Sequence, residues 1–123
     1  MQFAFLIYES PEQWATRNQD ASNPYIAAWR AYHKALVESG AYLGGDPLQL
    51  PETGTTVRIK NGNRRVQDGP YADTKEQLAG FIIVELPSLD KALEWAARCP
   101  SASQGVVEVR PLAPETKHRV TDE

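Results

Sequence analysis

Cysteine is almost absent from this chain: Cys99 is the single one among 123 residues. No intramolecular disulfide can form, which excludes the stapled secreted domains and fits a reducing compartment. Histidine is nearly as scarce. His33 and His118 stand far apart, and no His or Cys recurs at ligand spacing, so no metal centre is expected. Long apolar runs are missing too. The opening run from Phe3 to Tyr8 covers six residues, far short of the roughly 20 needed to cross a bilayer. The start MQFAFLIYESPE has neither the basic stretch nor the cleavage site of a secretory leader. A cytoplasmic protein with no membrane partner is expected. Positive charge is not in excess either. The net charge is −3 and the pI about 5.4, so no bulk attraction draws the chain to nucleic acid or anionic lipid. Gly44-Gly45 and Gly62 do not make a phosphate loop, and G-x-S-x-G does not occur. No cofactor is implied.

What is present is an ordinary globular balance, 41% apolar and 24% charged, in a length that suits one domain. Phe3 to Tyr8 reads as an interior strand. Pro11 to about Arg17 reads as a short helix or irregular turn. Ser22-Asn23-Pro24 supplies a cap and a proline at the first helical position. In the helix that follows, Tyr25, Trp29, Tyr32 and Leu36 form one apolar stripe to Ser39, and Gly40 ends it in the left-handed region. Ala41 to Gly44 should be a short strand stopped by Gly45-Asp46-Pro47, and Leu48 to Thr55 a loop. Asn61-Gly62 predicts a two-residue hairpin between Thr56–Lys60 and Arg64–Gln67. The alternation of Val57 and Ile59 with Thr56, Arg58 and Lys60 predicts one buried and one wet face.

Gly80 to Leu86 is an apolar strand. Pro87 ends it, and Ser88 can cap a second helix with Leu89, Ala92, Leu93 and Ala96 as its stripe. Pro100 stops that helix, and Gly105 to Pro111 is the last strand. From Ala113 the sequence is a polar tail, so the domain spans 1–112 and the tail 113–123. Without the hairpin this order is the ferredoxin-like βαββαβ arrangement, an α+β fold with both helices on one face of the sheet. The other face would stay apolar unless a second copy covered it.

Few residues suggest chemistry. His33 lies roughly 70° around its helix from the apolar stripe, at a cleft edge or a simple boundary. Cys99 has Arg98 beside it but sits at a helix C-terminus, where the dipole opposes a thiolate; an inert, half-buried thiol is expected. The basic cluster Arg58, Lys60, Arg64 and Arg65 flanks the hairpin turn and reads as solvated. The unusual stretch is DGPYADTKEQLAGF, from Asp68 to Phe81. It sets Asp68, Asp73, Lys75 and Glu76 around a rigid turn and one aromatic, Tyr71. It could be a turn with a charged rim or the wall of a ligand pocket. On the second reading Asp68, Tyr71, Lys75 and Glu76 are pocket candidates, with His33 and Asp46 beside them.

That stretch resembles the signature of the DGPF-type proteins of the YCII-related family. Tyr71 stands where the family usually has phenylalanine, and Asp73 where it usually has glutamate. MQFAFLIYES, ESGAYLGGDPL, ALEWAARCP and VEVRP are similar to the family as well, so the resemblance runs from Met1 to Leu112. It implies a ferredoxin-like sheet pairing into a dimeric α+β barrel with a cleft facing the pairing surface. Many such proteins are encoded beside extracytoplasmic-function sigma factors, which implies a regulatory role and a sigma-factor association. Shorter relatives carry a His–Asp pair proposed to be catalytic, but Trp29 and Cys99 occupy those positions here. The resemblance therefore implies a small-molecule-binding homodimer and names no activity. Two alternatives stay open: a metal-free isomerase, lyase or oxygenase acting on a small organic substrate, and an interaction module for a transcription factor.

Overall fold

A computed structural model describes residues 1–13 and 22–114. Among the described residues six strands and two long helices follow one another: β1 (Gln2–Glu9), α1 (Pro24–Glu38), β2 (Tyr42–Pro47), β3 (Thr55–Lys60), β4 (Asn63–Asp68), β5 (Gln77–Glu85), α2 (Leu89–Arg98) and β6 (Val106–Pro111). Short 3-10 turns occupy Pro51–Thr53 and Pro100–Ala102. Four strands form one antiparallel sheet in the order β2-β5-β1-β6, and β3-β4 stand apart as a two-stranded ribbon. With the ribbon set aside this is the expected ferredoxin-like order.

Local chemistry sets the boundaries. Asn23 caps α1 by accepting the Tyr25 N–H at 2.8 Å, and Pro24 occupies the first helical position. Gly40, at φ 85°, lets the chain leave the helix in the left-handed region. Ser88 caps α2 through the Lys91 N–H at 3.2 Å. Asn61 and Gly62 both have positive φ, 53° and 78°, as a type I′ hairpin turn requires.

Period-two alternation sorts β1. Phe3, Phe5 and Ile7 are buried against the helices with Ile82 and Val84 of β5, Tyr32 and Leu36 of α1, and Ala92 and Ala96 of α2. Directly opposed residues of an antiparallel pair share a face. Leu6↔Phe81 and Ala4↔Ile83 therefore lie on the side away from the helices, as does Leu6↔Glu108. The uncovered face is thus built from Leu6, Phe81 and Ile83, while Phe3, Phe5 and Ile7 belong to the core.

Four sequence expectations are corrected. β2 runs on through Asp46 and Pro47 rather than stopping at Gly45, because an edge strand tolerates proline and Gly45 adopts φ 148°. The β3-β4 ribbon has no buried face: Val57, Ile59 and Val66 are 59%, 65% and 53% exposed, since no layer among the described residues packs on it. In α2, Ala92 and Ala96 are buried but Leu89 and Leu93 are exposed; the small side chains bring the helix close to the sheet and leave the leucines at its flank. Cys99 is buried, only 2% exposed, rather than half-buried. Of the short helix or irregular turn expected from Pro11 to about Arg17, residues 11–13 are described and are helical. The rest of that stretch and most of the polar tail, with His118, lie outside the described residues.

Candidate functional site

Small residues open a space beneath the first half of α1. On the sheet side Gly45, Ala79 and Gly80 present almost no side chain, and a register shift between Ile7 and Tyr8 makes a bulge at Ala79. Gly45 is required by contact: a Cβ there would lie 2.3 Å from the Phe81 carbonyl oxygen. The result is a cavity of about 880 Å³ between α1, the end of β2, β5 and the segment from Leu48 to Thr53. Ile26, Trp29, Leu36, Leu50 and Ile82 make most of the wall apolar. The Leu48 N–H donates to the Ala79 carbonyl at 2.8 Å and fixes the outer segment to the sheet.

The inner polar group is Glu9. It continues the inward series Phe3, Phe5, Ile7 and is only 2% exposed. Ser101, fully buried, donates its hydroxyl to Glu9 Oε2 at 2.7 Å. Tyr25, from the first turn of α1, donates its phenol to the same oxygen, and the phenol oxygen lies 2.6 Å from Ser101 Oγ. Burial, reinforced by the hydrogen bond to Glu9, pushes the Tyr25 phenol up to about 12. Tyr25 therefore remains a proton-bearing donor at neutral pH. The 3-10 turn that carries Ser101 is closed by Gly105 N–H donating to the Ser101 carbonyl at 2.7 Å.

The mouth is of opposite character. His33 and Arg30 are exposed and line it, one helical turn apart on α1. The His33 ring meets Tyr42 edge-on at 4.8 Å. Asp46, Gln49 and Thr53 add polar groups on the far side. Among the described residues no group of three His, Cys, Asp or Glu is placed to hold a metal ion, and no helix is long and apolar enough to cross a membrane.

The structure divides the sequence candidates. His33 and Asp46 line the cavity; Asp68, Tyr71, Lys75 and Glu76 do not. Asp68 ends β4 in the open, and Tyr71 is 77% exposed with the Arg58 guanidinium 5.5 Å from its ring centroid. The turn after β4 is held by other residues. The Gly69 N–H donates to the Gly54 carbonyl at 2.7 Å, and Thr56 Oγ1 to the Gly69 carbonyl at 2.9 Å. Gln77 Nε2 then donates to the carbonyls of Thr74 and Ala72 at 2.7 and 3.1 Å, and Thr74 Oγ1 donates to the Glu76 carbonyl at 2.6 Å.

Trp29 lines the wall. Cys99 is close enough to Glu9 for that charge to add to burial in raising its thiol to about 12. Glu9 and Ser101 were not singled out from the sequence, and Tyr25 was read only as part of the apolar stripe of α1. A signal for Glu9 was available, since an acid at the fourth inward position of an apolar strand must find partners. Nothing local announces Ser101, which is 92 residues away.

Comparison with known proteins agrees with this architecture. The model of the YCII-related domain matches residues 1–116. An uncharacterised protein of Rhizobium meliloti is 36% identical, with 92% of this chain and 93% of the relative aligned. Among solved structures, the 5-chloro-2-hydroxyhydroquinone dehydrochlorinase TftG of Burkholderia phenoliruptrix, in complex with 2,5-dihydroxybenzoquinone, superposes with a TM-score of 0.53 at 21% identity. That match covers 92% of this chain and 94% of the other; the likeness is one of fold. With its sequence match running from the first strand past the last, the chain belongs to the YCII-related family.

Proposed function

We propose that this protein binds a small, largely apolar organic molecule in the cleft under α1 and exchanges a proton with it through Glu9, as an isomerase or lyase does. The observation that carries the reading is the position of Glu9. A carboxylate sits on the wall of an apolar cavity, nearly out of water, with two hydroxyls directed at one of its oxygens. Such a group can take a proton from a substrate C–H or O–H and return it elsewhere. The Tyr25 O–H, which donates to Glu9 at rest, can turn to negative charge developing on a substrate oxygen once Glu9 has taken the substrate's proton. An apolar body with a few convergent polar groups is also the usual make-up of a small-molecule site. The dehydrochlorinase of similar fold is a precedent for elimination on this scaffold, by analogy of fold only.

A second reading is a regulatory binding protein, in which Glu9 anchors a ligand without reacting. The mutual hydrogen bonds of Glu9, Tyr25 and Ser101 favour it, because they hold the carboxylate still. The link to extracytoplasmic-function sigma factors belongs to this reading and rests on the sequence resemblance. Identifying any co-purifying metabolite by mass spectrometry comes first. Glu9→Gln should then leave its binding within a few-fold and abolish its turnover, or its hydrogen–deuterium exchange in D2O. A ligand that wild-type protein binds but never alters rejects the enzyme. A ligand whose binding ignores both Glu9→Gln and Trp29→Ala rejects the cleft.

The protein is further proposed to act as a homodimer, its open sheet faces meeting in an α+β barrel. The support is the apolar content of that face, Leu6, Phe81 and Ile83, which no helix among the described residues shields. Light scattering that returned the monomer mass of 13.7 kDa at micromolar concentration would reject this.

A further inference from the structure

The cleft side of α1 carries a positive charge that the helix itself leaves unpaired. Residues advance about 100° each around a helix, so His33 lies roughly 40° from Trp29 and Arg30 roughly 100° in the same direction. All three line the cavity. The positions three and four residues from Arg30 are Ile26, Ala27, His33 and Lys34, so no acid stands within helical pairing reach. Lys34 takes Glu38, the single acid of the helix, at 4.0 Å. Among the described residues Arg30 has no ion pair, hydrogen bond or ring contact. His33 has its edge-on contact with Tyr42, whose phenol donates to the Gly45 carbonyl at 3.2 Å. That contact braces the ring, while its nitrogens have no hydrogen-bond partner among the described residues.

The rest of the cavity limits what those two groups can hold. Its acids are Glu9 at the inner end and Asp46 at the mouth; Glu52, on the outer segment, does not line it. Asp46 makes no salt bridge among the described residues, so it leaves Arg30 unneutralised. A helix rises about 1.5 Å per residue, which sets Arg30 about 7.5 Å and His33 about 12 Å along the axis from Tyr25 and its partner Glu9. Between these polar ends the helix offers Ile26 and Trp29. An anionic group at the inner end would face the Glu9 carboxylate where little water screens the repulsion. At the mouth the same group meets a guanidinium. A molecule with one negative end therefore enters in a single orientation, apolar end first.

We propose that the cleft takes a small aromatic carboxylic acid, its ring beside Trp29, its carboxylate on Arg30 and His33 at the mouth, and its opposite edge at Glu9. The inference rests on the reading of Glu9 as the group that exchanges a proton, and adds the substrate class. A guanidinium meets a carboxylate through two parallel N–H donors, which fixes direction as well as adding affinity. His33 supplies one more donor from its braced ring. The Trp29 indole suits a planar ring, which it can meet face to face with an offset or edge-on. A single ring with the carboxylate opposite its reacting position matches the axial separation of the two polar ends. Arg30 is thus a specificity residue: it touches no reacting atom, and it holds the ring so that the far substituent meets Glu9 and Tyr25.

The test is an NMR titration of the full chain with two probes, para-hydroxybenzoate and para-hydroxybenzamide, followed at the Trp29 indole N–H. The probes share ring and phenol and differ in charge. The acid should bind at least about tenfold tighter than the amide. Arg30→Gln should weaken the acid at least about tenfold and leave the amide unchanged, with Tm within about 2 °C of wild type because the side chain is exposed. Arg30→Lys should recover part of the loss, keeping the charge without the fork. Asp46→Asn should leave the acid unchanged or tighten it. Raising sodium chloride from about 20 to about 500 mM should weaken the acid alone. An amide that binds as tightly as the acid, or an acid indifferent to Arg30→Gln, overturns the anion subsite and leaves the cleft and Glu9 standing. Acid binding lost in Asp46→Asn instead would overturn it as well. Neither probe reaching Trp29 overturns the substrate class. Arg30-dependent binding involves no proton exchange, so a Glu9 that proves inert toward the co-purified metabolite rejects the base and leaves this subsite in place.

Discussion

Replacing Ser101 with alanine isolates the polar centre of the cleft. The hydroxyl is fully buried and lies 2.7 Å from Glu9 Oε2 and 2.6 Å from the Tyr25 phenol oxygen. Alanine removes a hydrogen bond to a carboxylate, worth about 1.5–3 kcal/mol, and leaves the buried acid with one donor fewer. The Tyr25 bond to the same oxygen remains, so a net cost of about 2 kcal/mol is expected. In a domain of this size that lowers Tm by roughly 6–10 °C. Urea denaturation at neutral pH measures the free energy, and the midpoint should move without a change of slope. Tyr25→Phe and the double variant complete a cycle. Because both hydroxyls donate to one oxygen, the two effects should depart from additivity by at least about 0.5 kcal/mol. A Ser101→Ala protein melting within about 2 °C of wild type, with additive effects, would show that the three groups do not act as a unit, and the assignment of Glu9 as a positioned base would fall with it.

Gly45→Ala should be among the most damaging exposed-edge substitutions. The added Cβ would sit 2.3 Å from the Phe81 oxygen at φ 148°, and a loss of about 3 kcal/mol or more is expected in the same denaturation assay. Alkali should destabilise the fold. Cys99 and Tyr25 hold their protons more tightly when folded, rising from 9.0 and 10.0 to about 12. Their contribution is complete below about pH 9 and is lost as pH climbs through 12. Stability measured across that window should fall, less steeply in Cys99→Ala, and a flat profile would contradict the burial of both groups. In the segment after β4, Gln77→Ala should cost about 1 kcal/mol, through the bonds to Thr74 and Ala72. Tyr71→Ala should cost under about 0.5 kcal/mol. A larger loss for Tyr71→Ala, with ligand binding impaired, would return Tyr71 to the site.

Helix ends and the hairpin turn were legible because each depends on a few neighbouring atoms. Asn23 before Pro24, Gly40, Ser88 and Asn61-Gly62 behave in the structure as their local chemistry demands. Local rules were weaker where a second layer decides. The alternation of Val57 and Ile59 promised a buried face, but burial needs something to pack on, and the ribbon stands clear of the sheet. The DGPY segment drew attention by its density of charge. Its structural work falls instead to Thr74 and Gln77, whose side chains fasten the turn.

By itself the sequence determined the elements, their order and the strand pattern that makes the sheet, since period, capping and turn chemistry act over a few residues. It also placed His33 and Asp46 at a possible cleft edge. Only the tertiary structure decided that a cleft exists there, because its volume comes from Gly45, Ala79 and Gly80 lying together under α1 from two different strands. Only the tertiary structure brought Glu9, Tyr25 and Ser101 to one point. The inward alternation of β1 fixes which way Glu9 points, but its partners come from the start of α1 and the turn after α2. Hydrogen bonds spanning 16 and 92 residues are set by how the layers close, and no short-range pattern records them.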